Sequence, residues 1–146
     1  MPRVDPATLE IVRGAFIACS NEMGAVLSKT AYNPMVFEVQ DFCIAIIDPK
    51  GRLIAQNSGG LPIFLADMGV AVMDGIEKFG IAGFEPGDAI VMNAPYVCGQ
   101  HLNNVVVYTP FFFEGKLLGF PAVRAHWLDI GGSRVGFGPG GTTEIY

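Results

Sequence analysis

Residues 101–126 read HLNNVVVYTPFFFEGKLLGFPAVRAH, and the fold turns on how this stretch divides. Two apolar runs, 105–113 and 116–125, flank Glu114-Gly115. A two-residue connection in which glycine supplies positive φ joins antiparallel strands, so the stretch predicts a tight hairpin. Pro110 and Pro121 interrupt the runs, and because proline cannot donate to a ladder both are expected near edges or bends. The arms are of similar length, since His101 precedes Phe113 by 12 positions and His126 follows Lys116 by 10. The hairpin therefore brings the only two histidines of the chain to the same end of the strands.

Toward the N-terminus, Asp5-Pro6 is a helix start: Asp5 can cap and Pro6 suits the first helical position. Leu9, Val12, Phe16, Cys19, Met23 and Val26/Leu27 then recur every three or four residues, which predicts a long amphipathic helix ending near Lys29. Asn33-Pro34 breaks that pattern, and 36–41 is expected to be extended before the apolar run Phe42–Ile47. Asp48-Pro49-Lys50-Gly51 has turn chemistry, with proline second and glycine fourth, so Phe42–Ile47 and 52–55 form a second hairpin. Residues 57–62, NSGGLP, make a loop. Residues 66–79 carry Met68, Val72, Met73, Ile76 and Phe79 at helical spacing, with Gly80 as C-terminal cap. Glu85-Pro86-Gly87-Asp88 is a turn that launches a buried strand, 89–92, stopped by Asn93-Ala94-Pro95-Tyr96. From Gly131 to Thr143 glycines are too dense for regular structure. The expected fold class is α+β: a mixed sheet of hairpins with a long N-terminal helix and a second helix packed on it. It fills one domain over 1–146, and because nothing follows to cover the glycine-rich loop, the expectation is the N-terminal part of a larger subunit, truncated at its C-terminus.

Composition narrows the function. The 146 residues are 51 % hydrophobic, enough for a core, and 16 % charged, with 14 acidic against 9 basic side chains and no basic block. Nucleic acid is excluded as a partner, because neutralising phosphates needs clustered Lys and Arg. A mean hydropathy of +0.41 implies that apolar surface packs on further chain or another subunit. No run approaches the roughly 18–20 apolar residues that span a bilayer, and a first helix with Glu10, Arg13 and Glu22 is no secretory signal, so no membrane role and a cytoplasmic location are expected. Cys19, Cys43 and Cys98 have neither framework nor metal-knuckle spacing and are expected to be reduced and mostly buried.

His101 and His126 each sit at a strand end beside polar or glycine-rich sequence, where scaffolds present functional groups. Two imidazoles held close together suit a shared metal or a proton relay. Asp41, just before the strand Phe42–Ile47, could complete a site for a divalent ion with positions left open for water or substrate. Asn104 could add a carbonyl oxygen, and Asp129 could serve as a partner or extra ligand for His126. Histidines at strand ends are also often plain hydrogen-bonded structural residues, and Asp41 and Asp129 are equally compatible with turn chemistry. Cys98 near His101 is a further nucleophile candidate, although it lacks an orienting group in sequence. Residues 136–141, GFGPGG, formally match a dinucleotide pattern, but no strand and helix flank them, and no serine elbow is present.

These segments, taken in order, resemble the hydantoinase B/oxoprolinase family along nearly the whole chain. The resemblance is carried by Asp5-Pro6-Ala7-Thr8-Leu9-Glu10, Lys29-Thr30-Ala31-Tyr32-Asn33-Pro34, Asp41-Phe42 and Asp48-Pro49-Lys50-Gly51-Arg52-Leu53-Ile54-Ala55-Gln56. It continues through Pro86-Gly87-Asp88, Asn93-Ala94-Pro95-Tyr96, Gly99-Gln100-His101-Leu102, Ala125-His126, Asp129-Ile130-Gly131-Gly132 and Thr142-Thr143-Glu144-Ile145. The resemblance implies a subunit of an ATP-dependent enzyme, either a hydrolase of a cyclic amide (hydantoin, 5-oxoproline, lactam) or a carboxylase of a ketone such as acetone or acetophenone. It implies that ATP and Mg are handled by a hydantoinase-A-type partner in a hetero-oligomer. It also implies a divalent metal (Zn, Mn or Mg) held here by Asp41, His101, Asn104 and His126, with His126 or Asp129 moving a proton.

Where hydrolytic members typically read Gly-Thr-His-Leu-Pro-Asp, this chain has Gly99-Gln100-His101-Leu102-Asn103-Asn104, and where they read Ala-His-His it has Ala125-His126-Trp127. Both forms are more similar to the ketone carboxylase branch, which makes ketone carboxylation with bicarbonate the leading expectation. Replacing a carboxylate ligand by an amide lowers the ligand charge, weakening the hold on a divalent ion and making it a stronger Lewis acid. A non-catalytic structural subunit with a degenerate site is the expectation from outside enzymology.

Overall fold

The structure, a computed structural model, describes residues 4–131 and Val135. The 25-residue helix α1 (Pro6–Thr30) begins as the sequence predicts: Asp5 accepts the Thr8 N–H at 3.0 Å and Pro6 opens the first turn. After it, 34–37 is helical rather than extended, forming the short α2 (Pro34–Phe37). The Asn33 side chain accepts the Met35 N–H at 3.0 Å, so Asn33-Pro34 is the same cap-and-proline start signal as Asp5-Pro6 instead of a plain break.

β1 (Phe42–Ile47) and β2 (Leu53–Gln56) form the expected antiparallel hairpin across the Asp48–Gly51 turn. The loop expected at 57–62 ends at Leu61, where α3 (Pro62–Leu65) begins, and the second long helix, α4 (Met68–Phe79), ends at Gly80 with φ 72°. β3 (Ile90–Met92), β4 (Asn104–Tyr108), β5 (Phe111–Phe113) and β6 (Lys116–His126) follow. The sheet order is β2-β1-β6-β4-β3, with β5 also paired to β6, and every pairing is antiparallel. The long strand β6 is thus central. Its hairpin turn uses positive φ at both Glu114 (49°) and Gly115 (74°), the primed-turn geometry that suits strand twist.

The preceding arm, expected as one strand, splits into β4 and β5 at Thr109-Pro110. Pro121 is tolerated in the central strand because the Pro121 carbonyl accepts the Thr109 N–H at 3.2 Å. A strand residue points its N and O to the same side, so the missing donor of Pro121 faces this break rather than β1.

Two cores cover the two sheet faces. Phe42, Ile44, Val36 and Ala125 meet Met23 and Leu27 of α1, while Cys43, Ala45, Val106, Tyr108, Phe120 and Ala122 meet Phe64, Met68, Ala71 and Val72 of α3 and α4. β1 is buried at every position for this reason, which explains its unbroken apolar run FCIAII. β3, expected to be buried, is an edge strand with Val91 62 % exposed, since nothing pairs its outer side among the described residues. Cys43 and Cys98 are buried as expected, whereas Cys19 on α1 is exposed. No helix among the described residues is long and apolar enough to cross a membrane. The expectation of a loop at 131–143 falls, except for Gly131 and Val135, outside the described residues, as do the motif residues 142–145.

Candidate functional site

Strand register assembles a polar row at one end of the sheet. The His126 N–H donates to the Asp41 carbonyl at 3.1 Å, and His126 pairs with Asn104 across β6 and β4. Side chains alternate along a strand, so Asp41, His126 and Asn104 stand side by side on the α4 face of three neighbouring strands. One step inward on that face lies the row Cys43, Arg124 and Val106. His101 reaches the row from the loop before β4, and its ring centroid lies 5.0 Å from that of His126 at an interplanar angle of 62°. The two imidazoles thus lie together, with the nearest carboxylate, Asp41 Oδ2, 3.8 Å from His126 Nδ1.

The row is almost closed to solvent: His126 is 1 % and Asn104 3 % exposed. Burial lowers the pKa of both imidazoles; Asp41 pulls both back up, while the Arg124 charge lowers His101 further and His101 lowers His126 further. Neutral rings, able to coordinate a metal or accept a proton, are favoured at neutral pH. The Asn104 amide donates to Gln100 Oε1 at 3.0 Å, while its buried Oδ1 has no hydrogen-bond partner among the described residues. An orphaned oxygen beside two imidazoles is the kind of acceptor a cation or water satisfies, and two nitrogens, a carboxylate and an amide oxygen fit a divalent ion by type. Among the described residues no three His, Cys, Asp or Glu side chains converge on one point as a ready metal cage.

Asp129 is not brought to this row. It is exposed, its carboxylate accepts the Gly131 N–H at 2.9 Å to close a turn, and it lines a groove of about 490 Å³ with Leu27, Tyr32 and Trp127. The groove lies on the α1 face, opposite the imidazole rings, because Ala125 and Trp127 alternate with His126. Trp127 is 43 % exposed there. Cys98 makes a poor nucleophile, since burial pushes its thiol up to about 11.

Three contributors escaped the sequence reading. Asn33 Nδ2 donates to the His126 carbonyl at 2.6 Å, tying the α2 start to the end of β6. Arg124 is wholly buried and ion-paired with Asp67. A lone arginine inside the apolar run FPAVRAH was the available signal, because an unpaired charge is not buried.

The hydantoinase B/oxoprolinase family model matches residues 5–146. The chain is 35 % identical to the 5-oxoprolinase of Saccharomyces cerevisiae over 98 % of its own length and 11 % of that protein. Its fold is similar to that of a caprolactamase from Pseudomonas jessenii described as ATP-dependent, with TM-score 0.75 and 30 % identity over 90 % of this chain and 22 % of that one. It is similar also to a nucleotide-free acetone carboxylase, with TM-score 0.79 over 88 % of this chain and 17 % of that one; at 21 % identity this likeness concerns the fold alone. The chain thus spans about a tenth to a quarter of the length of these proteins.

Proposed function

The chain belongs to the hydantoinase B/oxoprolinase family, and from that premise we propose that it forms part of a B-type catalytic subunit of an ATP-dependent ketone carboxylase, using bicarbonate and a ketone such as acetone or acetophenone. In this reading a hydantoinase-A-type partner binds ATP and Mg and activates the substrates, and the hetero-oligomer completes the reaction at the row of Asp41, His126 and Asn104 beside His101. The observation that carries the carboxylase reading is Asn104: its buried neutral amide has an unfilled oxygen, at a position where the resemblance to hydrolytic members implies a carboxylate.

Asp41, His101, Asn104 and His126 are the residues that would hold a divalent metal (Zn, Mn or Mg), which when bound supplies a Lewis acid for the substrate oxygen. When its ring is not taken up by such an ion, His126, kept neutral by burial, is the group that accepts a proton, and Asp41 near its Nδ1 stabilises the charged ring that results. His101 orients substrate against that ring, and the scarcity of solvent around the row strengthens each of these interactions. Asp129, as an exposed turn residue, is left with no part in the proton transfer.

A second reading, ATP-dependent hydrolysis of a cyclic amide, is favoured by the 30 % identity to the caprolactamase. The two separate cleanly. The full-length protein, purified with its partner, is given ATP and acetone or acetophenone with labelled bicarbonate, and in parallel 5-oxoproline, hydantoin or caprolactam without it. Label fixed into a ketone product supports the carboxylase; ketone consumption that is indifferent to bicarbonate, or turnover of the cyclic amides alone, refutes it. His101→Gln and His126→Gln should each cost on the order of 100-fold or more in turnover. Full activity in both would assign the row a structural role.

A further inference from the structure

We propose that Asp67 and Arg124 form a positioning clamp that holds His101 at its working distance from His126, an inference that rests on reading the His101–His126 row as the reaction site.

Between β3 and β4, residues 93–103 contain neither helix nor strand, yet they carry His101. Such a segment needs an external anchor to present a ring accurately. Asp67 supplies one: its Oδ2 accepts the Gly99 N–H at 2.8 Å, while its Oδ1 takes the hydrogen bond from Arg124 Nη1. Gly99 itself has φ +93°, and a Cβ there would lie 2.8 Å from Arg124 Nη2, so the loop backbone is seated directly against the guanidinium. Beyond Gly99, Gln100 Oε1 accepts from Asn104 Nδ2 at 3.0 Å, and the His101 carbonyl accepts the Asn104 N–H at 3.2 Å. Arg124 and His126 lie two residues apart on the same face of β6. The chain of contacts therefore leaves β6 at Arg124, runs through Asp67, Gly99 and His101, and returns to β6 at His126.

Two features indicate that this arrangement serves geometry rather than stability. Asp67 occupies the N-cap position of α4, where a carboxylate ordinarily bonds the first free N–H groups of its helix, yet it makes no such bond and turns to Gly99 and Arg124 instead. Arg124 is wholly buried over the Phe64 ring, 4.6 Å from its centroid, and its Nε and Nη2 find no acceptor among the described residues. A buried guanidinium satisfied on one side only is a poor stabiliser, and an apolar side chain like its row neighbours Cys43 and Val106 would pack there without the desolvation cost. Local rules broken at one point and repaid in the placement of a neighbouring loop mark a functional support.

The test uses the full-length protein with Asp67→Asn and Arg124→Lys, together with Arg124→Met and His101→Gln. Amide hydrogen exchange is followed across 98–103 and, as an internal reference, across β1, and turnover is followed by carboxylation of acetone with labelled bicarbonate. The expected result for Asp67→Asn is exchange about tenfold faster across 98–103 with β1 unchanged, kcat lower on the order of 10–100-fold, KM little altered, and partial recovery of both in Arg124→Lys relative to Arg124→Met. Unchanged exchange across 98–103 in Asp67→Asn overturns the clamp, whether or not acetone is the substrate. A loosened loop with undiminished kcat, while His101→Gln is inactive, overturns the positioning role alone. Full turnover in His101→Gln removes the site reading beneath it, which the exchange measurement does not depend on. Should Arg124→Met fail to fold, Asp67→Asn and Arg124→Lys still decide the matter.

Discussion

Gly119 lies in β6 against the backbone of β1. A Cβ built on it would sit 2.6 Å from the Ile47 carbonyl oxygen, against about 3.3 Å for an ordinary carbon–oxygen contact. Neither side can yield cheaply: Ile47 and the next residue, Phe120, are 1 % and 0 % exposed and pair with each other across the ladder. Gly119→Ala must therefore separate the two strands by roughly 0.7 Å, an overpacking strain of about 1–3 kcal/mol. Intrinsic preference pulls the other way, since replacing a strand glycine by alanine stabilises by roughly 0.5–1 kcal/mol. The net expectation is a loss of about 1–2 kcal/mol, or a Tm lower by roughly 3–8 °C. Gly14, within α1, is the matched control, with nothing within 4 Å of its would-be Cβ. Gly14→Ala should raise stability by roughly 0.5–1 kcal/mol on helix propensity alone. Scanning calorimetry of the wild type and both variants measures the two shifts. A Tm for Gly119→Ala at or above wild type would refute the close-packing argument, because it would mean that β1 and β6 separate without cost.

The pH dependence of stability follows from the imidazoles. Burial lowers both pKa values below the ordinary 6.5, so between the lowered native values and 6.5 the unfolded chain binds more protons than the native one. Stability must then fall as pH drops through that window, with a slope of at most about 1.4 kcal/mol per pH unit for each histidine. Urea midpoints from pH 7.5 downward should show the decline, with a shallower one in His126→Gln; identical slopes would contradict burial as the cause. For the thiols, Cys19 is exposed, while burial pushes Cys43 up to about 12 and Cys98 up to about 11. Iodoacetamide at pH 8 should label Cys19 first in the native protein and the other two only on unfolding. Cys98 labelling as fast as Cys19 in a peptide-resolved mass spectrum would count against its burial.

What the sequence determined by itself is what chemistry within a few residues controls. Asp5-Pro6 starts α1, Asp48–Gly51 and Glu114-Gly115 set two hairpins, and the similar arms of the second bring His101 and His126 to one end of the sheet. The same local chemistry was present at Asn33-Pro34, where a proline can either end one helix or begin the next, and only the packing of Val36 against Phe42 and Ile44 selects the second role. Tertiary structure alone decided the rest. Whether 89–92 is central or at an edge depends on strand order, which has no local signature. Asp129 and His126 are three residues apart, yet the turn closed by Gly131 leaves the carboxylate on the groove opposite the rings. Asp67 and Arg124 are 57 residues apart, and their pairing exists only because α4 lies across β6. An arginine among apolar residues announces that some partner is required, since a bare charge is not buried. Which acid answers, and which loop it holds in place, is settled only when the chain is folded.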